Sequence, residues 1–184
     1  MIRLARLEDA EGVHAIYAPV VRETAISFEW EVPDPSEIRR RMETLLAEGF
    51  PWLVEMEEGE IRGYAYASRF RGRRAYDWTA EVSIYVHPQH QGRGIGVALY
   101  RRILLLLEGQ GYRSAVGVAT APNPGSAALH KRLGFTQVGT FPSVGYKGGA
   151  WHDITLWHRS LGADDAPPRQ LRSPSEVWPE LEEG

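Results

Sequence analysis

The stretch VSIYVHPQHQGRGIGVALYRRIL, Val82–Leu104, decides how this chain folds. Up to Val86 its apolar and polar side chains alternate, the period of a strand. From Gly94 onward Ile95, Leu99, Ile103 and Leu106 fall on one side of a helix. Between the two lies QGRGIG, with three glycines in the five positions Gly92–Gly96. The first N–H groups of a helix have no partner inside it, and the aligned peptide dipoles add partial positive charge there. Glycines let the backbone curl around an anion where a Cβ would fill the space. Arg93 adds a full charge. The turn is expected to cradle a phosphate; the alternative is a tight turn that serves packing alone.

Two common phosphate loops do not fit. A Walker loop needs Gly-Lys-Ser/Thr, and Gly96 is followed by Val97. A dinucleotide fingerprint needs glycine three places after Gly94, which is again Val97, and Glu108 comes too early to take a ribose. The spacing Gln-x-x-Gly-x-Gly after a strand resembles instead the acetyl-CoA pyrophosphate loop of the GNAT superfamily of N-acetyltransferases. Downstream, NPGSAALHKRLGF (Asn123–Phe135) resembles a later signature of the same superfamily. The likeness narrows with SFEWE near Phe28, RRAYDWTAEVSIYV (Arg73–Val86), GYKGGAWHD (Gly145–Asp153) and PPRQL (Pro167–Leu171). Together these resemble phosphinothricin N-acetyltransferases over about residues 1–170.

That resemblance implies a GNAT fold with acetyl-CoA as co-substrate and no metal. Ile84, Tyr85 and Val86 would bond pantetheine through their backbone, and Gln91, Gly92, Arg93, Gly94, Ile95, Gly96 and Val97 would hold the pyrophosphate. Asn123 and Ser126 would sit at the pantetheine or cap the following helix. The implied reaction is acetylation of the α-amino group of a small glutamate-like amino acid such as phosphinothricin, methionine sulfoximine or methionine sulfone. A homodimer is also implied, with Trp151, Trp157 and Tyr146 as contact residues or core.

The residues carry chemistry that suits such a reaction. An α-amino group with a pKa near ~8 must lose a proton before it attacks. Glu81 is the expected base, since a charge in an otherwise apolar central strand is costly unless partnered or used; the alternative is a salt bridge to Arg73 or Arg74. His130 stands where many superfamily members place a tyrosine acid, and a histidine near pKa ~6.5 can act as acid or base. It also reads as a surface histidine beside Lys131 and Arg132. Arg73, Arg74 and Lys147 are expected to grip the acceptor's anionic groups, and Phe28, Tyr76 and Trp78 to wall its pocket.

Composition sets outer limits. The 184 residues carry a net charge of -3, which advertises no broad nucleic-acid surface. There is no cysteine, so disulfides, thiolate nucleophiles and cysteine metal sites are excluded and a reducing cytoplasm fits. The opening MIRLARLEDAEG lacks the apolar core of a signal peptide. The longest apolar run, ILLLL, falls far short of the ~20 residues a membrane span needs. His87 and His90 flank a proline turn with no carboxylates to complete a metal site. His152 and Asp153 beside Ser160 make no hydrolase triad, for there is no nucleophile elbow, and both are expected to be structural.

The element order reads β α α β β β α β α β β, an α/β (α+β) mixed sheet, partly parallel and twisted, with helices on both faces. One domain is expected over 1–161, and 162–184, rich in proline and charge, reads as a tail without a core of its own. Two other functions fit less well: acetylation of a protein N-terminus, a polyamine or an aminoglycoside, and a non-catalytic acyl-CoA-binding module.

Overall fold

The computed structural model describes residues 1–162 and 167–182. Seven strands form one sheet in the order β1-β2-β3-β4-β5-β7-β6. They are β1 (Ile2–Leu4), β2 (Trp52–Glu57), β3 (Glu60–Arg69), β4 (Thr79–Val86), β5 (Ser114–Ala121), β6 (Thr136–Lys147) and β7 (Ala150–Ser160). Every neighbouring pair is antiparallel except β4 and β5. That pair is parallel because the chain between them must cross over, and it does so through α3 (Ile95–Gln110).

The helices divide between the two faces. On one, α1 (Ala10–Glu23) and α2 (Pro35–Ala47) cover an apolar cluster that includes Ile16, Met42, Val54 and Tyr64. On the other lie α3, α4 (Pro124–Arg132) and α5 (Pro174–Glu182), over Ala67, Val82, Leu99 and Trp157. Leu99, Ile103 and Leu106 are fully buried, and each such side chain contributes roughly 1.5–3 kcal/mol.

Local signals explain the joints. Asp34 caps α2, accepting the Glu37 N–H at 2.8 Å, with Pro35 in the first turn. Glu37 does not complete a capping box; its carboxylate turns outward to Arg40 and Arg41. The β2–β3 hairpin turns on Glu58 (φ 52°) and Gly59 (φ 84°), both in the left-handed region that a two-residue hairpin loop needs.

Beyond Leu161 the structure adds an element that pattern reading did not find. Val177 and Trp178 of α5 are buried in the α3-side core. Arg102 lies over the Trp178 ring, 5.1 Å from its centroid, and donates to the Leu181 carbonyl at 2.6 Å. Gln110 donates to the carbonyls of Gly49 and Arg172, pinning the approach to α5. Of the described residues in this segment, Val177 and Trp178 join the core on α3.

Candidate active site

The parallel ladder is short. Thr79, Ala80 and Glu81 face Ser114, Ala115 and Val116, and there the pairing ends, although β4 runs on to Val86 and β5 to Ala121. The strands fork. The last five residues of β4 therefore present backbone N–H and C=O groups toward a cleft instead of a neighbouring strand. A cavity of ≈ 560 Å³ fills the fork, with Val82–Val86 on one wall and Val118, Ala119 and Thr120 on the other. Its far end reaches the glycine turn.

That turn has the predicted form. Gly92 (φ 76°) and Gly94 (φ 82°) take left-handed backbone that side chains disfavour. Gly94 is the N-cap of α3, so the unpartnered amides of the first turn open beside it. A Cβ on Gly96 would meet Val86, Ile84 and Leu129 no closer than 3.7 Å, so the glycine is not demanded by packing. It is space kept open on the cavity wall. Gln91, Gly92, Gly94, Ile95, Gly96 and Val97 all line the cavity; Arg93 is exposed and does not. The fork and its amide cradle fit an extended thioester with a diphosphate at one end. Asn123 caps α4, accepting from the Ser126 N–H at 3.0 Å, and both residues line the same cavity.

Glu81 stands at the crotch of the fork. Ala80 and Val82 belong to the α3-side core, whereas Tyr85 packs with the α1-side cluster. Strand alternation therefore sends Glu81 and Ser83 to the α1 side, where Ser83 stands opposite Tyr66 across the β3–β4 ladder. Among the described residues Glu81 has no ion-pair partner, so the salt bridge to Arg73 or Arg74 is not formed. Burial alone lifts its carboxyl above the ordinary glutamate range.

His130 is buried at 4% exposure and lines the cavity from the α3–α4 side. It is not a surface residue. Nδ1 lies 2.8 Å from the Ser126 carbonyl and Nε2 lies 3.0 Å from the Tyr100 hydroxyl. Burial lowers its pKa, opposed by the Ser126 bond. Tyr100 and Gly117 were not picked out in the sequence, yet both shape this corner. The signal for Tyr100 was its place four residues after Gly96, one helical turn along the cavity-facing side.

The residues expected around the acceptor are more scattered. Arg73, Arg74 and Tyr76 are exposed on the short 3-10 turn before β4. The Trp78 indole donates to the Arg169 carbonyl at 2.8 Å, tying that turn to the C-terminal segment. Phe28 lies against Gly145 and near His152, 6.2 Å between ring centroids. Lys147 is buried, and its Nζ donates to the carbonyls of Val21 and Ser27, each at 2.7 Å. None of these six lines the cavity in the fork. Instead Lys147, with Thr120 donating to the Ala25 carbonyl at 2.8 Å, fastens the α1–α2 loop, whose Ile26 does line it. His152 and Asp153 bond the Lys147 carbonyl and the Ser143 N–H, holding the β6–β7 hairpin. Among the described residues no cluster of three ligand-type side chains could hold a metal, and no helix is long and apolar enough to cross a membrane.

Comparison with known proteins agrees with this geometry. Residues 2–156 match the family model of the GNAT acetyltransferase domain. The chain is 39% identical over 176 residues to a phosphinothricin N-acetyltransferase of Streptomyces viridochromogenes, spanning 96% of this chain and 95% of that one. It is 34% identical to an L-methionine sulfoximine/L-methionine sulfone acetyltransferase of Salmonella typhimurium, over 90% and 97% of the two chains. The crystal structure of a phosphinothricin acetyltransferase from Sinorhizobium meliloti in complex with acetyl-CoA superposes with a TM-score of 0.88 at 34% identity, covering 92% of each chain. The chain belongs to the GNAT acetyltransferase family, and acetyl-CoA is its co-substrate.

Proposed function

We propose that this enzyme acetylates the α-amino group of a small glutamate-like amino acid, of the phosphinothricin, methionine sulfoximine or methionine sulfone type, by direct transfer with Glu81 as general base. The observation that carries the reading is the fork: a lone, half-buried carboxylate at the point where β4 and β5 part, beside a cavity ending in an amide cradle. The relatives named for those substrates support the choice of acceptor.

Glu81 takes the amine's proton, directly or through water, and its raised pKa makes it a stronger base than an exposed glutamate. The unpaired N–H groups of β4 supply hydrogen bonds for the oxygen that gains charge as the amine adds. Arg73 and Arg74, exposed just before β4 and outside the cavity lining, are the cations assigned to an anionic acceptor. The enzyme works as a homodimer in the cytoplasm. Trp151, Phe141 and Tyr146, at 64%, 48% and 44% exposure, give the β6–β7 hairpin an apolar surface that a second copy would cover.

The test is release of free thiol from acetyl-CoA with phosphinothricin, methionine sulfoximine, methionine sulfone and cationic amines in parallel. Turnover is expected for the anionic amino acids; no release with any of them overturns the proposal.

A further inference from the structure

The imidazole of His130 is held on every side. Nδ1 faces the Ser126 carbonyl at 2.8 Å, a group that can only accept, so Nδ1 carries the ring proton. The Ser126 hydroxyl stands 3.2 Å from the same nitrogen. Nε2 is then a bare acceptor, and the Tyr100 hydroxyl, 3.0 Å away, is its donor. Trp157 stacks on one ring face, with centroids 5.2 Å apart and planes 13° from parallel. Phe135 meets the ring edge-on at 5.0 Å. Below lies Gly117 of β5, where a Cβ would stand 2.2 Å from Nε2, so a side chain at 117 and this ring position exclude each other. Tyr100 is itself 1% exposed, and both residues line the cavity. The charge of Glu81 reaches Tyr100 from β4 and, with burial, disfavours its phenolate.

We infer that Tyr100 is a positioning residue for acyl transfer: its hydroxyl donates to Nε2 of His130 while the ring's one N–H is turned into α4, which fixes both the tautomer's two partners and the seat of the imidazole on the cavity wall. Tyr100 is not the acid for the departing sulfur. A free phenol is already a weaker acid than a thiol, ~10 against ~8.5, and burial widens the gap. Nor can His130 give a proton from Nε2 at rest, because none is there. This rests on the acetyl-transfer reading, but its first test does not.

Nitrogen-15 NMR of the full-length protein reads the His130 tautomer directly, without substrate. Protonated Nδ1 and unprotonated Nε2 are expected; a protonated Nε2 overturns the inference. In Tyr100→Phe the Ser126 carbonyl still holds the ring proton on Nδ1 while Nε2 loses its donor, so kcat should fall about 10- to 100-fold and the acetyl-CoA KM should stay within about twofold. The rate–pH limb belonging to His130 should move as well. A Tyr100→Phe enzyme that keeps the wild-type kcat and rate–pH profile overturns it. Gly117→Ala, which displaces the ring while leaving the hydroxyl, should lower kcat in the same way. If the wild type acetylates no amine, the proposed function fails, and a protonated Nε2 would still overturn the donor role of Tyr100 by itself.

Discussion

Glu81 and His130 approach the fork between β4 and β5 from opposite faces of the sheet. Glu81 follows the alternation of β4 to the α1 side, and His130 lies over Gly117 on the α3 side. A thioester threaded through the fork would have a carboxylate on one flank and an imidazole on the other. Placing them apart avoids a Glu–His ion pair, which would hold the carboxylate pKa down and make it a poorer base.

Removing the carboxylate should therefore separate activity from stability. Glu81→Gln is expected to lower kcat about 10²- to 10³-fold at neutral pH, with partial recovery at high pH as the free amine becomes abundant. The folded-state pKa of Glu81 is raised, so the native protein binds its proton more tightly than the unfolded chain does. Wild-type stability then falls as pH rises from the ordinary glutamate value through the raised one, and the cost persists above it. Glu81→Gln should remove that slope and be the more stable protein at pH 7. Urea titrations at several pH values measure this; an unchanged slope would show that the carboxylate is not buried as described.

The glycine turn yields a second separation. Gly96 has ordinary van der Waals room for a methyl group and lies in the first turn of α3. Gly96→Ala should leave the melting temperature unchanged or raise it, since alanine is the better helix former by up to about 1 kcal/mol. If the co-substrate lies in this part of the cavity, the acetyl-CoA KM should nonetheless rise at least about tenfold, because the methyl enters the cavity that Gly96 lines. A variant with wild-type KM would place the pyrophosphate elsewhere.

What sequence alone makes legible of the candidate site is its backbone form. Glycines at 92, 94 and 96 announce left-handed or open positions whatever surrounds them, and the change of period around them marks strand and helix. The element order is local information of the same kind. What stayed hidden depends on contacts between distant segments. Lys147 reads as a free cation in a turn, and only the fold brings it against Val21 and Ser27. Tyr100 reads as one more apolar helix residue until His130, thirty positions on, is packed against it. The segment after Gly162 has too few apolar residues to declare a helix, and Val177 and Trp178 are understandable only beside α3.

The position of Lys147 makes a third prediction. Lys147→Met keeps the unbranched apolar stem and removes the donor, leaving the two carbonyls of Val21 and Ser27 without it, at a cost of about 1–3 kcal/mol. The loop carrying Ser27 and Ile26 loosens. If Lys147 acts through that loop, KM should rise by a similar factor for an anionic acceptor and for a neutral amino acid. If its ammonium touched the acceptor's anionic group, only the anionic acceptor would suffer. Parallel KM measurements on glutamate-like and neutral amino acids tell the two apart.

The C-terminal helix supplies the last test. Gly109 is the penultimate residue of α3, in its last turn, where alanine alone would favour the helix by less than the ~1 kcal/mol it gains in a helix interior. Yet a Cβ there would lie 2.5 Å from Cγ1 of Val177, inside the contact distance of any two carbons. Close packing should win, and Gly109→Ala should destabilise the protein by about 1–3 kcal/mol. Val177→Ala alone should also destabilise, by losing a buried apolar contact. Combined, the two should cost clearly less than their sum, since the second substitution vacates the space the first one fills. Acetyl-CoA KM should not move in any of the three, because the contact lies roughly 20 Å along α3 from Gly94. Melting temperatures that simply add would mean that Val177 does not rest on Gly109, and the docking of α5 on α3 would have to be abandoned.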